Sequence, residues 1–412
     1  MSERITILGA GIVGICCALS LQERGIAVRL VDRAQPGQET SFGNAGVVSP
    51  WSVIPQPVPG IWKQLPAMLF DRNSALSVRP AFWPRMIPWG LRFMRNSSEP
   101  KVREASDAME LLCRPSIELY RKHLIGTGHE NLIVDSHYVH AFRQPEQASL
   151  EDLGYLIRAE KGGDLERIGS DELHRLEPAL SRAFQAAILI KGQARVTSPG
   201  RVGAVLAEKA RDQGAEIIKT DVQGIAHAED GYWHLTTSGE PLQTRSIVLA
   251  AGVWSADLLK PLGLSVPLVA ERGYHIELPN ASVSLNHSVM DVDAKVVAST
   301  MQGGLRVAGM AEFAGIEAPP DPRKQTILQE QAKAMVPDLD VSEARFWMGR
   351  RPSFPDSLPA IGEVKGKPGL FCAFGHSHYG LMMAPKTGEL VADLVSGRRH
   401  NVNLGKFSLA RF

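Results

Sequence analysis

Ile5-Thr6-Ile7-Leu8, Gly9-Ala10-Gly11-Ile12-Val13-Gly14 and Val28-Arg29-Leu30-Val31-Asp32 together decide the fold of this chain. The first run reads as a strand and the glycine run as a tight loop. A helix follows through Cys16, Cys17 and Leu21, and the last run is a second strand ending on an acid. Gly9 allows the turn, Gly11 lets backbone N–H groups approach a pyrophosphate, and Gly14 lets helix and strand pack closely. The helix N-terminus offers partial positive charge to phosphates, and Asp32 offers acceptors to a ribose hydroxyl. A lone GxGxxG says little. Between two apolar strands, with an acid at this distance, it predicts a dinucleotide site.

Outward from that motif, 412 residues allow a sizeable core and about two to three domains' worth of chain. With 44% apolar and 22% charged residues the composition is that of a globular protein, and a net charge of +1 exerts no global pull toward nucleic acid. Cys16, Cys17, Cys113 and Cys372 show neither disulfide nor metal spacing, so no metal site is expected and a reducing cytoplasm is the expected home. The sequence opens directly on a strand, so no signal peptide is expected. No apolar run approaches the roughly 18 residues of a membrane span.

A second glycine-rich turn, Thr40-Ser-Phe-Gly-Asn-Ala-Gly46, follows the opening unit. Periodicity predicts a helix over 101–125 with Met109, Leu112, Ile117 and Leu119 on its apolar stripe. It also predicts a helix–strand unit over 201–218, strands at 232–236 and 246–250 around Ser238-Gly239, and antiparallel strands over 264–350. A terminal helix runs from about Pro385 to Val395. The expected architecture is α/β, α+β overall. A discontinuous Rossmann-type domain takes residues 1–50, 195–262 and 350–412. A substrate-binding domain on an antiparallel sheet takes 51–194 and 263–349.

NAD and FAD folds share the opening motif. Phe374-Gly-His-Ser-His-Tyr-Gly-Leu381 decides between them by leading late in the chain into an apolar helix. A helix N-terminus there suits negative charge at a flavin N1–C2=O edge; the alternative is a plain glycine-rich loop before a terminal helix. The order and spacing of several segments over essentially the whole chain resemble the FAD-dependent D-amino-acid oxidase/dehydrogenase superfamily. These are Gly9–Gly14, Ser41-Phe-Gly-Asn-Ala-Gly46, Ala250-Ala-Gly-Val-Trp-Ser255, Gly349-Arg-Arg-Pro352, Pro359-Ala-Ile-Gly362 and the Gly375 loop. The chain is similar to bacterial D-amino-acid dehydrogenases. It is more similar still to the glyphosate-oxidoreductase-like and D-hydroxyproline-dehydrogenase-like branch, through Glu271-Arg-Gly-Tyr-His275, Leu305-Arg-Val-Ala-Gly309 and Trp347-Met-Gly349.

The resemblance implies FAD and names its contacts. Ile12 and Val13 cover the pyrophosphate, Asp32 binds the adenosine ribose with Arg33 beside it, and Ser41, Asn44, Ala45 and Gly46 line the middle. Val222 meets adenine through its backbone, Gly252 packs under the diphosphate, and His376 to Met382, with Gly375, Tyr379, Gly380 and Leu381, wrap the isoalloxazine. The cysteine that some sarcosine-oxidase relatives carry near Arg350–Arg351 is absent, which implies non-covalent FAD.

The implied reaction removes the Cα–H of a D-amino acid or related secondary amino acid as hydride to flavin N5. The resulting imine hydrolyses to a keto acid plus ammonia or amine. No protein nucleophile is required, so the residue to find is the carboxylate clamp. By resemblance it is Arg351, whose guanidinium fork can grip a carboxylate at two points; the alternative is a pairing with Asp356. Arg350 replaces a usual apolar residue and either faces away or attracts a second acidic group. His376 and His378, two apart, point the same way if their loop is extended, to bind the carboxylate or tune proton loss from the amine. Each alternatively bonds to loop backbone. Tyr274 is a candidate lid or ring over the substrate, with Arg272 and His275 secondary.

Two further readings stand beside the D-amino-acid one: oxidation of a secondary amine such as glyphosate, iminodiacetate or D-hydroxyproline, and a non-catalytic flavin-relay subunit of a hetero-oligomer. The electron acceptor is a quinone or O₂. Residues 50–96 interleave Trp51, Trp62, Trp83, Trp89, Phe82 and Phe93 with Lys63, Arg72, Arg79, Arg85, Arg92 and Arg95 against Asp71. That pattern suits peripheral docking at the inner-membrane face, or a proline-rich lid packed between domains.

Overall fold

Ile5–Leu8 pairs in parallel with Val28–Asp32 on one side and Ile247–Leu249 on the other, as a buried apolar run between helices should. This computed structural model describes residues 4–63, 75–398 and 401–412; Asp71 and Arg72 of the basic stretch lie outside them. Glu216–Lys219 extends the sheet beyond Val28–Asp32. Leu370–Phe374 and the antiparallel Ala360–Glu363 extend the other edge, giving a six-stranded Rossmann-type sheet. The Ile12–Gln22 helix is apolar on nearly all faces because it is sandwiched, touching the Pro199–Asp212 and Gly380–Val395 helices. The sterics of the glycine loop are strict. Gly9 has φ +106, and a Cβ on Gly14 would sit 1.9 Å from the Gly9 oxygen.

The second sheet is mostly antiparallel. Its order is Arg345–Ser353, Val269–Leu278, Gly304–Phe313, Val296–Met301, Ser288–Asp291, Ile133–Phe142, Ala186–Val196 and Val47–Val48, with Leu76–Val78 and Leu165–Gly169 paired off this path. Register explains its two faces. Val139, Val289, Ala298, Val307, Ile276 and Phe346 lie opposite one another in a row that faces a core closed by Leu328, Ala332 and Met335 of the Arg323–Met335 helix. One residue along each strand, His140, Met290, Val297, Ala308, His275 and Trp347 form the next row on the other face.

Several expectations are corrected. Strands of the second sheet run through 47–48, 186–196 and 345–353, past the expected boundaries at 50, 195 and 350, so Arg351 stands on the second sheet. The expected helix over 101–125 is two, Glu99–Cys113 and Ser116–Leu124, broken at Arg114-Pro115. Both bury their stripes in the core of the Rossmann-type unit rather than in a substrate domain. Trp233–Thr237 forms its hairpin with Leu242–Thr244, and Ile247–Leu249 belongs to the parallel sheet. The Arg323–Met335 helix stands where only strands were expected.

The terminal helix starts at Gly380, five residues before Pro385. Proline inside a helix removes an N–H and strands the carbonyl four residues back. Here that carbonyl, Leu381 O, accepts the Tyr120 hydroxyl at 2.7 Å, from a ring buried on the Ser116–Leu124 helix. Tyr120→Phe should therefore destabilise the fold by about 1–3 kcal/mol, the cost of an orphaned buried carbonyl. Adding Pro385→Ala should recover most of the loss, and thermal melts compare the variants; an unchanged Tm in Tyr120→Phe would refute the link.

Candidate active site

Between the two sheets lies a cavity of about 1110 Å³. At one end Asp32, Arg33 and Thr220 to Gln223 line it; Gly9, Gly11, Ile12, Val13, Ala250 and Gly252 follow. Asp32 Oδ2 accepts from Ala10 N at 2.7 Å and Oδ1 from Ala34 N at 2.8 Å, which holds the carboxylate at the loop. Burial pushes its pKa up, and those two N–H bonds oppose the rise. Arg33 lies 3.9 Å from the Trp254 ring centre and pairs with Glu39 at 3.0 Å. The Ile12–Gln22 helix has no side-chain cap, although Ile12 N–H reaches Ser41 Oγ at 3.1 Å. A Cβ on Gly11 would meet only that Oγ, at 3.6 Å. An open backbone and an uncapped helix N-terminus fit a pyrophosphate.

Ser41, Gly43, Asn44 and Ala45 line the middle. Gly46 stands behind them, its N–H on Asn44 Oδ1 at 2.8 Å. The far end is closed by residues 373–382 and by the second sheet. There Glu271 and Arg351 are directly opposed on neighbouring strands, with Arg351 Nη1 2.9 Å from Glu271 Oε1. Arg351 also donates to Met310 O at 2.7 Å. Gly273 makes room, since a Cβ there would lie 2.2 Å from Arg351 Nη2. Glu271 Oε2 accepts from Ser353 Oγ at 2.8 Å and Gln56 Nε2 at 3.0 Å, and that same amide nitrogen lies 3.2 Å from His378 Nδ1. Burial works to raise the Glu271 pKa, but Arg351 and these hydrogen bonds bring it below the ordinary carboxylate value.

A family model described as FAD dependent oxidoreductase matches residues 4–394. The chain belongs to that FAD-dependent oxidoreductase family. Among its relatives is a D-amino-acid oxidase of Bradyrhizobium diazoefficiens, 34% identical over 100% of this chain and 99% of its own. A D-amino acid dehydrogenase of Rhizobium rhizogenes is 30% identical over 99% and 100%. Glycine oxidase from Geobacillus kaustophilus shares the fold at a TM-score of 0.74 and 24% identity, covering 100% of both chains. Iminodiacetate oxidase from a Chelativorans species does so at 0.71 and 24%, covering 98% of each. The superfamily, fold class and cofactor expected from the sequence hold: this FAD-dependent oxidoreductase is a member of the D-amino-acid oxidase/dehydrogenase superfamily.

In the oxidoreductase, residues holding FAD would be the glycine loop and Asp32 at the ADP half, Ser41 to Ala45 in the middle, and residues 375–382 at the flavin. The uncapped N-terminus of the Gly380–Val395 helix stands at that flavin end. Val222 and Gly252 also line the cavity.

Two open alternatives on the substrate side are closed and two expectations are corrected. Asp356 is taken by Arg411 at 2.7 Å, so the alternative partner for Arg351 is excluded in favour of Glu271. Arg350 occupies the opposite face of its strand, donating to Ile316 O at 2.7 Å, and adds no charge beside Arg351. Tyr274 is no lid. It is 1% exposed, stacks on Phe346, and is fixed through its hydroxyl by Glu312 and Arg272 on that same opposite face. Arg272 itself pairs with Glu312 at 3.2 Å. His376 and His378 do not point together, because Ser377 at φ 49 turns the chain into a Ser377–Tyr379 3-10 turn. His376 Nε2 bonds to Thr387 Oγ1 at 3.0 Å, and His378 alone joins the Glu271 cluster. His275 stacks on Trp347 and bonds to Gly43 O at 3.1 Å, steadying the 41–46 turn.

Glu271 and Gln56 went unassigned in the sequence. A period of two across Glu271-Arg-Gly-Tyr-His275 was the available signal, separating Glu271 and Gly273 from Arg272 and Tyr274. Gln56, in a proline-rich run, carried none.

Burial lowers the pKa of His140, His275 and His376 to about 3 and of His123 and His378 to about 4. All five are neutral in the folded enzyme at pH 7. The unfolded chain takes up their protons near 6.5 first, so their contribution is intact above that pH and is lost as pH falls toward about 4. Glu177, raised to about 7 by burial, opposes them, as does the raised Asp32 carboxylate at lower pH. The melting temperature should therefore drop between pH 7 and pH 5; a Tm constant across that window contradicts this assignment.

Proposed function

We propose that the enzyme oxidises a D-amino acid, or a related secondary amino acid, at its Cα–H and nitrogen. The product imine is hydrolysed by water to a keto acid plus ammonia or amine. The Arg351–Glu271 pair at the flavin end of the cavity carries this reading. A guanidinium held on one side by Glu271 and Met310 O retains N–H groups for a substrate carboxylate. FAD, when bound, takes up the two electrons that leave the substrate.

The chain's own residues bind and orient. Glu271 requires a donor, which turns the Gln56 amide nitrogen toward it, and the same nitrogen donates to His378 Nδ1. The neutral His378 ring then carries its proton on Nε2, a donor suited to a carboxylate rather than a base for the amine. Arg351 and His378 together fix the carboxylate, and with it the direction of the Cα–H. Trp89 and Phe93 of the Trp83–Arg95 helix line the cavity, with Trp89 packed on Phe313, and exclude water.

Arg351→Ala should keep the yellow FAD but slow anaerobic bleaching by a D-amino acid about 10- to 100-fold, the loss of one charge-assisted contact. Bleaching at the wild-type rate would refute the clamp. A wild-type flavin that no D-, L- or N-substituted amino acid bleaches would favour the relay-subunit reading.

The acceptor is O₂ or a quinone. One surface supports the quinone: the Trp83–Arg95 helix exposes Trp83, Ile87 and Leu91 at four-residue intervals, beside exposed Arg85, Arg92 and Arg95 and no acid. Among the described residues no helix is long and apolar enough to cross a membrane, so contact with an anionic lipid surface would be peripheral. The holoenzyme should float with vesicles containing phosphatidylserine at low salt and be released at high salt. Ile87→Asp should abolish flotation. Protein that stays at the bottom of the gradient argues for the lid role alone.

A further inference from the structure

A second cationic group faces the cavity, and no carboxylate meets it. Arg158 donates Nε to Trp51 O at 3.0 Å and Nη1 to Gly154 O at 2.9 Å, and it has no ion pair among the described residues. Lys295 also lines the cavity. Its nearest acids, Asp291 and Asp293, are engaged by Arg143 at 2.6 and 3.4 Å. His140, 7% exposed, lies within the field of both cations. Its Nδ1 is 2.8 Å from the Tyr155 hydroxyl, and its Nε2 is buried without a partner. Tyr138 and Met290 complete this wall.

Burial pushes Arg158 and Lys295 below their ordinary pKa values. Arg158 is half-buried with no carboxylate on it and Lys295 is exposed at the cavity wall, so a ligand anion would gain a charge-assisted contact there. The cofactor's pyrophosphate is the wrong anion for it. Arg158 and Tyr379, the latter in the segment around the flavin, hold carbonyls three residues apart on one stretch of chain, Trp51 O and Ile54 O, whereas the pyrophosphate falls to the glycine loop. The extended 51–56 segment joins the two polar clusters: Arg158 holds Trp51 O, Tyr379 holds Ile54 O at 2.7 Å, and Gln56 holds Glu271. Both clusters line the same cavity.

We infer that Arg158, Lys295 and His140 form a subsite for a second acidic group, a carboxylate or phosphonate that the amino acid carries beyond its α-carboxylate. This deepens the proposed function and rests on it. Arg350, the other candidate for that task, faces away.

The test compares FAD-loaded wild type, Arg158→Gln, Arg158→Lys and Lys295→Met on glycine against iminodiacetate and on D-alanine against D-glutamate. The ratio of kcat/KM for diacid over monoacid should fall at least about tenfold in Arg158→Gln, through KM, as loss of a charge-assisted contact predicts. Arg158→Lys should recover part of it. Lys295→Met, which disturbs neither Trp51 nor Gly154, should lower the same ratio. An equal loss on both substrates would make Arg158 a support for the 51–56 segment and overturn the subsite; so would an unchanged ratio, or loss of FAD affinity in Arg158→Gln. If no amino acid bleaches the wild-type flavin, the proposed function fails. Binding of glutarate against butyrate, read by flavin absorbance, then decides the subsite alone: wild type must prefer the diacid and Arg158→Gln must not.

Discussion

A carboxylate buried as deeply as Glu271 stays ionised only if a cation and several hydrogen bonds replace its water. Arg351, Gln56 and Ser353 supply them from two separate stretches of chain. The extended run after the second glycine turn brings Gln56, the edge strand brings Arg351 and Ser353, and the strand beside it carries Glu271 itself. His378 joins through Gln56 from the turn that starts the last helix. Moving any one of these segments would strand a charge. The constraint therefore fixes the second sheet against the flavin-wrapping segment, and the cavity between them takes its shape from it.

The dinucleotide half was readable in the sequence because its causes are local. Glycine sterics at Gly9 and Gly14, apolar strand runs and an acid at Asp32 act within about thirty residues, and the folded chain keeps those roles. The substrate half depends on register and on single backbone angles. Arg351 was reachable only through resemblance, and its partner Glu271 is 80 residues away, opposed to it by strand pairing. Tyr274 was misplaced, and Arg350 left with two readings, because neighbours on a strand face opposite ways and nothing in composition says which way is inward. The histidines were misplaced by one left-handed residue, Ser377. The Arg323–Met335 helix escaped notice because few of its residues are apolar, and those complete a core built by distant strands. Pro385 gave a false helix start, since its compensation comes from Tyr120 on another helix.

The two rows of the second sheet also bear on how such a scaffold diversifies. Each cavity-facing residue, such as His140, Met290 or Val297, has as its chain neighbour a residue of the opposite, packed face. The pleat thus insulates the layer that meets ligands from the layer that keeps the domain folded. A substitution on the open face alters what the cavity accepts and leaves the packed row intact, so stability places little brake on changes of specificity. A common architecture shared by enzymes named for glycine and iminodiacetate is what that separation would produce over evolutionary time.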